Sequence, residues 1–179
     1  MSPEFVEAEK GDVLRWVQPI AGNRYHELRS KKGVHAKMKW KEMYGSLAYV
    51  LTKDDTFTLK RRGFLDPHVT IRRKKGTADL AAFHVDLGIT GMIEFRDGPA
   101  FEVRRPSVLR RRWVIVDWNN EPLIIVSRKS GGKFLADVSI EANPRSTDSL
   151  LLLSAIVWYA FILSSEEWIS DSSGESDSV

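Results

Sequence analysis

The stretch Leu150-Leu151-Leu152-Leu153-Ser154-Ala155-Ile156-Val157-Trp158-Tyr159-Ala160-Phe161-Ile162-Leu163 decides the fold. Thirteen of these fourteen residues are apolar, with Ser154 the exception. At roughly 1.5 Å per residue such a run makes a helix about 21 Å long. Pro144 breaks what precedes it, and Ser146, Thr147 and Asp148 offer oxygens for an N-cap. Continuation through Ser164-Ser165-Glu166-Glu167-Trp168 predicts a helix over about 149–167. A helix that is apolar on every side must be buried on every side. A protein interior and a bilayer both do that. A bilayer core asks for about twenty apolar residues, and Glu166 and Glu167 directly after Leu163 make extension into lipid costly. The interior reading leads, and a short C-terminal membrane anchor is its alternative.

Upstream, the pattern changes to period two. Val34, Ala36, Met38 and Trp40 alternate with His35, Lys37, Lys39 and Lys41, which gives one strand an apolar face and a basic face. Phe57 and Leu59 alternate with Thr56, Thr58 and Lys60, and Val69 and Ile71 with His68, Thr70 and Arg72. Nine further strands are read at 13–17, 24–29, 46–51, 79–84, 91–96, 100–104, 112–117, 122–127 and 133–140, which makes twelve. Turn residues fill the gaps: Lys53-Asp54-Asp55, Lys75-Gly76, Asp97-Gly98, Asn119-Asn120 and Ser130-Gly131-Gly132. Short strands with turns every eight to twelve residues point to an antiparallel sandwich or barrel. Eight strands make a barrel that side chains fill; wider barrels need a plug. The expected fold is therefore mainly β: a closed antiparallel barrel of about twelve strands around a central hydrophobic C-terminal α-helix. Residues 1–12 read as an N-terminal extension, 13–168 as one barrel domain, and 169–179 as an acidic, disordered tail.

The charge is unevenly placed. The chain has 179 residues, 27 Lys+Arg, 24 Asp+Glu and a net charge of +3. Five of the acids (Glu166, Glu167, Asp171, Glu175 and Asp177) lie in residues 164–179, which hold no Lys or Arg. Removing those five leaves 19 acids against 27 bases in residues 1–163, a net +8. The basic residues cluster at Lys60-Arg61-Arg62, Arg72-Arg73-Lys74-Lys75, Arg104-Arg105, Arg110-Arg111-Arg112 and Arg128-Lys129. A basic body with an acidic tail suits an anionic partner, either phosphate-rich lipid or nucleic acid. Charges at strand ends also keep sheets soluble, which is the plainer reading of each cluster.

Other chemistry is scarce. With no cysteine the chain has no disulfide scaffold, thiol nucleophile, Cys-ligated zinc or iron–sulfur cluster. His26, His35, His68 and His84 fall one to a strand, with no short metal-ligand spacing, so no metal is expected. There is no G-x-S-x-G elbow and no H-E-x-x-H helix. Gly131-Gly132-Lys133 lacks the spacing of a phosphate loop and reads as a hairpin turn. Trp40, Trp113, Trp118 and Trp158 read as core. Met1–Lys10 carries three glutamates and no apolar run, unlike a secretory signal. The expected location is cytoplasmic, peripheral at a membrane.

The order of Leu59-Lys60-Arg61-Arg62-Gly63-Phe64, Phe95-Arg96-Asp97-Gly98, Trp113-Val114-Ile115-Val116-Asp117 and the final apolar run resembles the tubby C-terminal-like superfamily over roughly residues 13–165. That group includes tubby domains, LURP-one-related proteins and phospholipid scramblases. The resemblance is architectural. It implies a twelve-stranded barrel threaded by its C-terminal helix, and binding of phosphoinositide head groups through surface Lys and Arg. Scramblase-like members are tied to membranes and calcium. Here the segment before the helix, residues 141–148, holds only Glu141 and Asp148 as acids, with Arg145 between them. A hard cation wants several oxygen ligands on one loop, so calcium is not expected.

The leading functional expectation is a non-enzymatic binding module for phosphoinositide or another anionic lipid head group, without cofactor. Its candidate contacts are Lys60, Arg61, Arg62, Arg72, Arg73, Lys74 and Lys75, with Arg110, Arg111 and Arg112 as a second set. The first two runs flank a loop between consecutive strands and are expected to meet at one barrel rim. Nucleic-acid binding by the same basic surface is the alternative, and a barrel enzyme or small-ligand carrier, which needs an open lumen, comes after it.

Overall fold

In a computed structural model, which describes residues 5–63, 66–86, 89–107, 111–130, 135–141 and 147–173, twelve strands close into one barrel. They are β1 (Val13–Val17), β2 (Tyr25–Arg29), β3 (Val34–Trp40), β4 (Ala48–Leu51), β5 (Thr56–Arg62) and β6 (His68–Arg73). They continue as β7 (Ala81–Asp86), β8 (Thr90–Phe95), β9 (Ala100–Arg104), β10 (Arg112–Val116), β11 (Pro122–Arg128) and β12 (Ala136–Ile140). Each strand pairs antiparallel with its sequence neighbours, and β1 closes the ring on β12. Closure leaves no unpaired edge for another chain to extend. Along each strand alternate side chains face the lumen: Trp16 stands opposite both Leu28 and Ala136, and Val126 opposite both Trp113 and Val138.

The lumen is filled by α1 (Thr147–Ser173), in which every residue from Leu150 to Leu163 is buried. Two hydroxyls of the helix find partners inside. Ser154 Oγ donates to the Leu151 carbonyl at 2.8 Å. The Tyr159 hydroxyl donates to the Ser46 carbonyl and accepts the Arg61 amide N–H at 2.9 Å. Aromatic packing fixes the helix against the wall: Trp158 stacks on Trp16 at 6.5 Å between centroids, and Trp40 on Tyr159 at 5.7 Å. By length and composition the helix is apolar enough to cross a membrane. Its apolar surface is instead covered by the barrel, which supplies the burial that an all-round apolar helix requires.

The helix direction gives the barrel two different ends. It enters after β12 and leaves beside Arg24, the β3–β4 loop (41–47) and the end of β5. The exit rim also carries the β1–β2, β5–β6, β7–β8, β9–β10 and β11–β12 connections; the entry rim carries the others. In the β5–β6 loop Gly63 takes φ +76°, and a Cβ there would lie 2.1 Å from the Asp66 carbonyl oxygen, so only glycine fits.

Three boundaries differ from the sequence reading. The helix runs six residues past 167 to Ser173, because no helix breaker intervenes before Gly174; part of the stretch read as a disordered tail is thus helical. The extension is not an appendage. Phe5 bridges Val34, Val6 N–H donates to the Val34 carbonyl at 2.9 Å, and Ala8 is buried. Lys53–Glu7 (2.6 Å) and Lys32–Glu9 (2.7 Å) ion pairs hold it to the barrel wall. This cover buries His35, which strand alternation alone would leave in solvent. Trp118 is 81% exposed, not core. It lies beyond the end of β10 in a turn where Asp117 Oδ1 accepts the amide N–H groups of Asn119 and Glu121, both at 2.9 Å.

Candidate anion-binding site

The β5–β6 register separates the candidate basic residues. Arg62 pairs with His68 next to the loop, whereas Arg73 pairs with Phe57 at the far end of the hairpin. Lys60, Arg61 and Arg62 therefore belong to the exit rim, and Arg72, Arg73, Lys74 and Lys75 to the entry rim. They do not meet, which corrects the expectation of one shared rim. The reason is geometric: residues on both sides of a hairpin loop converge only within a few positions of the turn, and at about 3.3 Å per residue Arg73, five residues past His68, lies about 17 Å along the strand.

The two rims also differ in how their candidate arginines are paired. At the entry rim Arg72 Nε lies 2.5 Å from Asp79, Arg73 Nε lies 2.9 Å from Asp55, and Lys74 sits over the Tyr49 ring at 5.7 Å. Pairing with Asp79 raises Arg72 above its ordinary value. Asp54, Asp97, Asp117 and Glu121 add negative charge in the neighbouring turns. At the exit rim Arg62, Arg111 and Arg112 are exposed and make no ion pair among the described residues. Lys60 is likewise exposed on the outer face of β5. Arg110 lies outside the described residues.

Inside the exit mouth the structure adds three guanidiniums that were not on the candidate list. Arg24 lies over Trp40 at 4.9 Å, Arg105 over Trp113 at 5.8 Å and Arg128 over Phe161 at 5.0 Å. Each stacks on a ring that lines the lumen, a contact that favours Arg over Lys. α1 leaves the barrel here, and its Glu166 carboxylate faces Arg24.

Arg24 is a clamp. Its Nε and Nη2 meet the two carboxylate oxygens of Glu166 at 3.0 and 2.6 Å, and Nη1 donates to the carbonyls of Glu42, Met43 and Gly45. All of its donor directions are spent on the helix and the β3–β4 loop. Arg128 differs. It faces the lumen in register with Ala136, and its buried Nε has no hydrogen-bond partner among the described residues. A buried charged donor without an acceptor is costly. With Arg111 and Arg112 beside it, it offers an anion a bidentate fork. Doubled basic residues marked Arg104-Arg105 and Arg128-Lys129 in the sequence; nothing there told which member of each pair faces the lumen.

The histidines are not isolated as the sequence suggested. His68 and His84 stand side by side across β6–β7 with ring centroids 5.9 Å apart. His68 Nδ1 donates to the Asp66 carbonyl at 3.0 Å, and His84 Nε2 lies 3.8 Å from Glu94. No three imidazole or carboxylate groups are placed to hold an ion among the described residues. His26 is buried in the lumen against the rings of Trp40 and Trp158. Burial, helped by the Arg24 charge, pulls its imidazole down to about 4.

No protein-family model matches the sequence, and no curated protein matches it. The fold is similar to the X-ray structure of a protein from Arabidopsis thaliana, with a TM-score of 0.58 and 15% identity over 87% of this chain and 93% of that chain. At that identity the likeness is one of fold: a closed twelve-stranded antiparallel barrel around one C-terminal helix.

Proposed function

We propose that this chain is a non-enzymatic, tubby-like binding module that recognises anionic lipid head groups, phosphoinositides foremost, at the exit rim of its barrel. The observation that carries the reading is a set of arginines at that rim without ion-pair partners. Arg111, Arg112 and the buried Arg128 Nε lie together there, with Arg62 across the mouth, and none has a carboxylate partner among the described residues, while Arg72 and Arg73 at the other rim are paired. The filled lumen is a second support, because a carrier or barrel enzyme needs interior space that α1 occupies.

Liposome co-sedimentation tests the reading. Each basic group near an anionic membrane contributes about 1 kcal/mol. Reversing both Arg111 and Arg112 to Glu should lower partitioning onto phosphoinositide vesicles by roughly two to three orders of magnitude at low salt. The same reversal of Arg72 and Arg73 should matter much less. Equal loss from both rims would remove the rim assignment. Binding to a short DNA duplex with a steep salt slope, and none to acidic vesicles, would replace lipid with nucleic acid as the partner.

A further inference from the structure

We infer that the exit rim docks edge-on into a bilayer by inserting the apolar tips of its β1–β2 and β3–β4 loops. The inference rests on the head-group reading above and adds what that reading lacks: an orientation and an apolar anchor. Of the large apolar side chains left in solvent, Ile20, Met43 and Tyr44 are 61%, 67% and 87% exposed, and all three sit on these two loops.

The loops are neighbours, and Arg24 joins them. It ends the first loop and binds three carbonyls of the second, while also gripping Glu166 of the helix. Gln18 Nε2 donates to the Asn23 carbonyl at 2.7 Å, and Lys41 N–H to the Leu47 carbonyl at 2.9 Å. Backbone polar groups are thus tied down internally while the apolar side chains are held outward. Folding gains nothing from that arrangement. A bilayer does, since apolar tips set among basic residues bind by partitioning and by attraction to anionic lipid together. Lys39 and Lys41 lie beside the tips and Arg62 ends the neighbouring strand β5; Glu42 on the β3–β4 loop pairs with Lys41 at 3.8 Å, and Glu166 on the helix pairs with Arg24.

Trp118 is the rival anchor, at the opposite rim, where Val13 is also exposed. Its turn carries Asp117 and Glu121, which an anionic surface repels. The two exposed aromatics therefore make opposite predictions about which end meets lipid.

The cysteine-free chain allows a direct test. Single cysteines are placed at Tyr44→Cys and Trp118→Cys in the full chain and labelled with the environment-sensitive fluorophore NBD. Vesicles are phosphatidylcholine alone, or phosphatidylcholine with phosphatidylserine or a phosphoinositide. The expected result is a blue shift and intensity gain at position 44 on anionic vesicles, with no change at 118. In unlabelled protein, Met43→Ser with Tyr44→Ser should weaken vesicle binding by at least about tenfold with an unchanged melting temperature. Co-sedimentation without a shift at 44, and with full binding by the double serine variant, would overturn insertion and leave head-group recognition standing. A shift at 118 alone would overturn the orientation. No sedimentation with any vesicle would remove both readings.

Discussion

Two tryptophans give the sharpest test of the plugged barrel. Trp158 is fully buried on the lumen helix, and Trp118 projects from a turn. Truncating each to Ala removes the same atoms, so the difference between the two costs depends on location alone. A buried Trp removes 150–250 Å² from water, or about 4–6 kcal/mol at 25 cal/mol per Å², part of which Ala retains. Core Trp→Ala changes cost about 3–5 kcal/mol. The barrel wall here is a closed hydrogen-bonded ring and cannot move in to refill the space. The stacking of Trp158 on Trp16 (6.5 Å) and Phe161 (5.2 Å) is lost as well. We expect about 4 kcal/mol for Trp158→Ala, a fall in melting temperature of roughly 8–16 °C for a chain of this size. Trp118→Ala should stay within about 0.5 kcal/mol of the parent. Trp158→Phe should cost about half as much as Trp158→Ala, because it keeps an aromatic ring and removes an indole N–H without a partner among the described residues, but leaves a smaller void. Urea unfolding followed by far-ultraviolet circular dichroism, compared at constant m-value, reads all three. Similar costs for Trp158→Ala and Trp118→Ala would refute the central helix.

Further outcomes follow from the same geometry. Leu152→Asp puts an unpaired carboxylate in the lumen at a cost of several kcal/mol, so it should abolish cooperative melting; a soluble, sharply melting Leu152→Asp protein would contradict the interior placement. Arg24→Ala removes the guanidinium that ties Glu166 to three loop carbonyls and should cost about 2 kcal/mol, with faster amide exchange across residues 41–47. Glu166→Gln should cost less than about 1 kcal/mol, since that carboxylate is partly solvated. Mild acid should destabilise the fold. His26 is held near 4 in the folded chain against an ordinary 6.5, and burial lowers His35 too. The unfolded chain therefore binds more protons between those values, so stability is unaffected above pH 6.5, falls as pH drops from 6.5, and levels off near 4 for His26. The His26 contribution is about 3 kcal/mol, and His26→Phe should flatten the melting temperature across pH 7 to 5.

Much of the architecture was legible because burial imposes local periods. Val34 to Trp40 alternates since one face of β3 meets the lumen, and Leu150 to Leu163 does not alternate since every face of the helix is enclosed. Turn residues such as Asn119-Asn120 marked strand ends for a backbone reason: Asn120 takes φ 63°, which Asn tolerates. Local patterns fail where a partner distant in sequence supplies the environment. His35 reads as a solvent-facing strand residue and is buried by Val6 and its neighbours. Trp118 reads as core from its place at the end of a strand and is lifted out by an Asp117 turn.

The candidate site shows the same division. The sequence by itself located the basic clusters, the acidic tail and the helix that needs covering, because charge and apolarity are properties of each residue wherever it ends up. Only the tertiary structure decided that Arg62 and Arg73 lie at opposite ends of one hairpin, that Arg24 latches the helix to a loop, and that Arg128 turns inward. Those facts depend on register and on the direction in which α1 threads the barrel. Register is fixed by long-range pairing, and helix direction by the closure of β1 on β12, neither of which is encoded in any short stretch of chain.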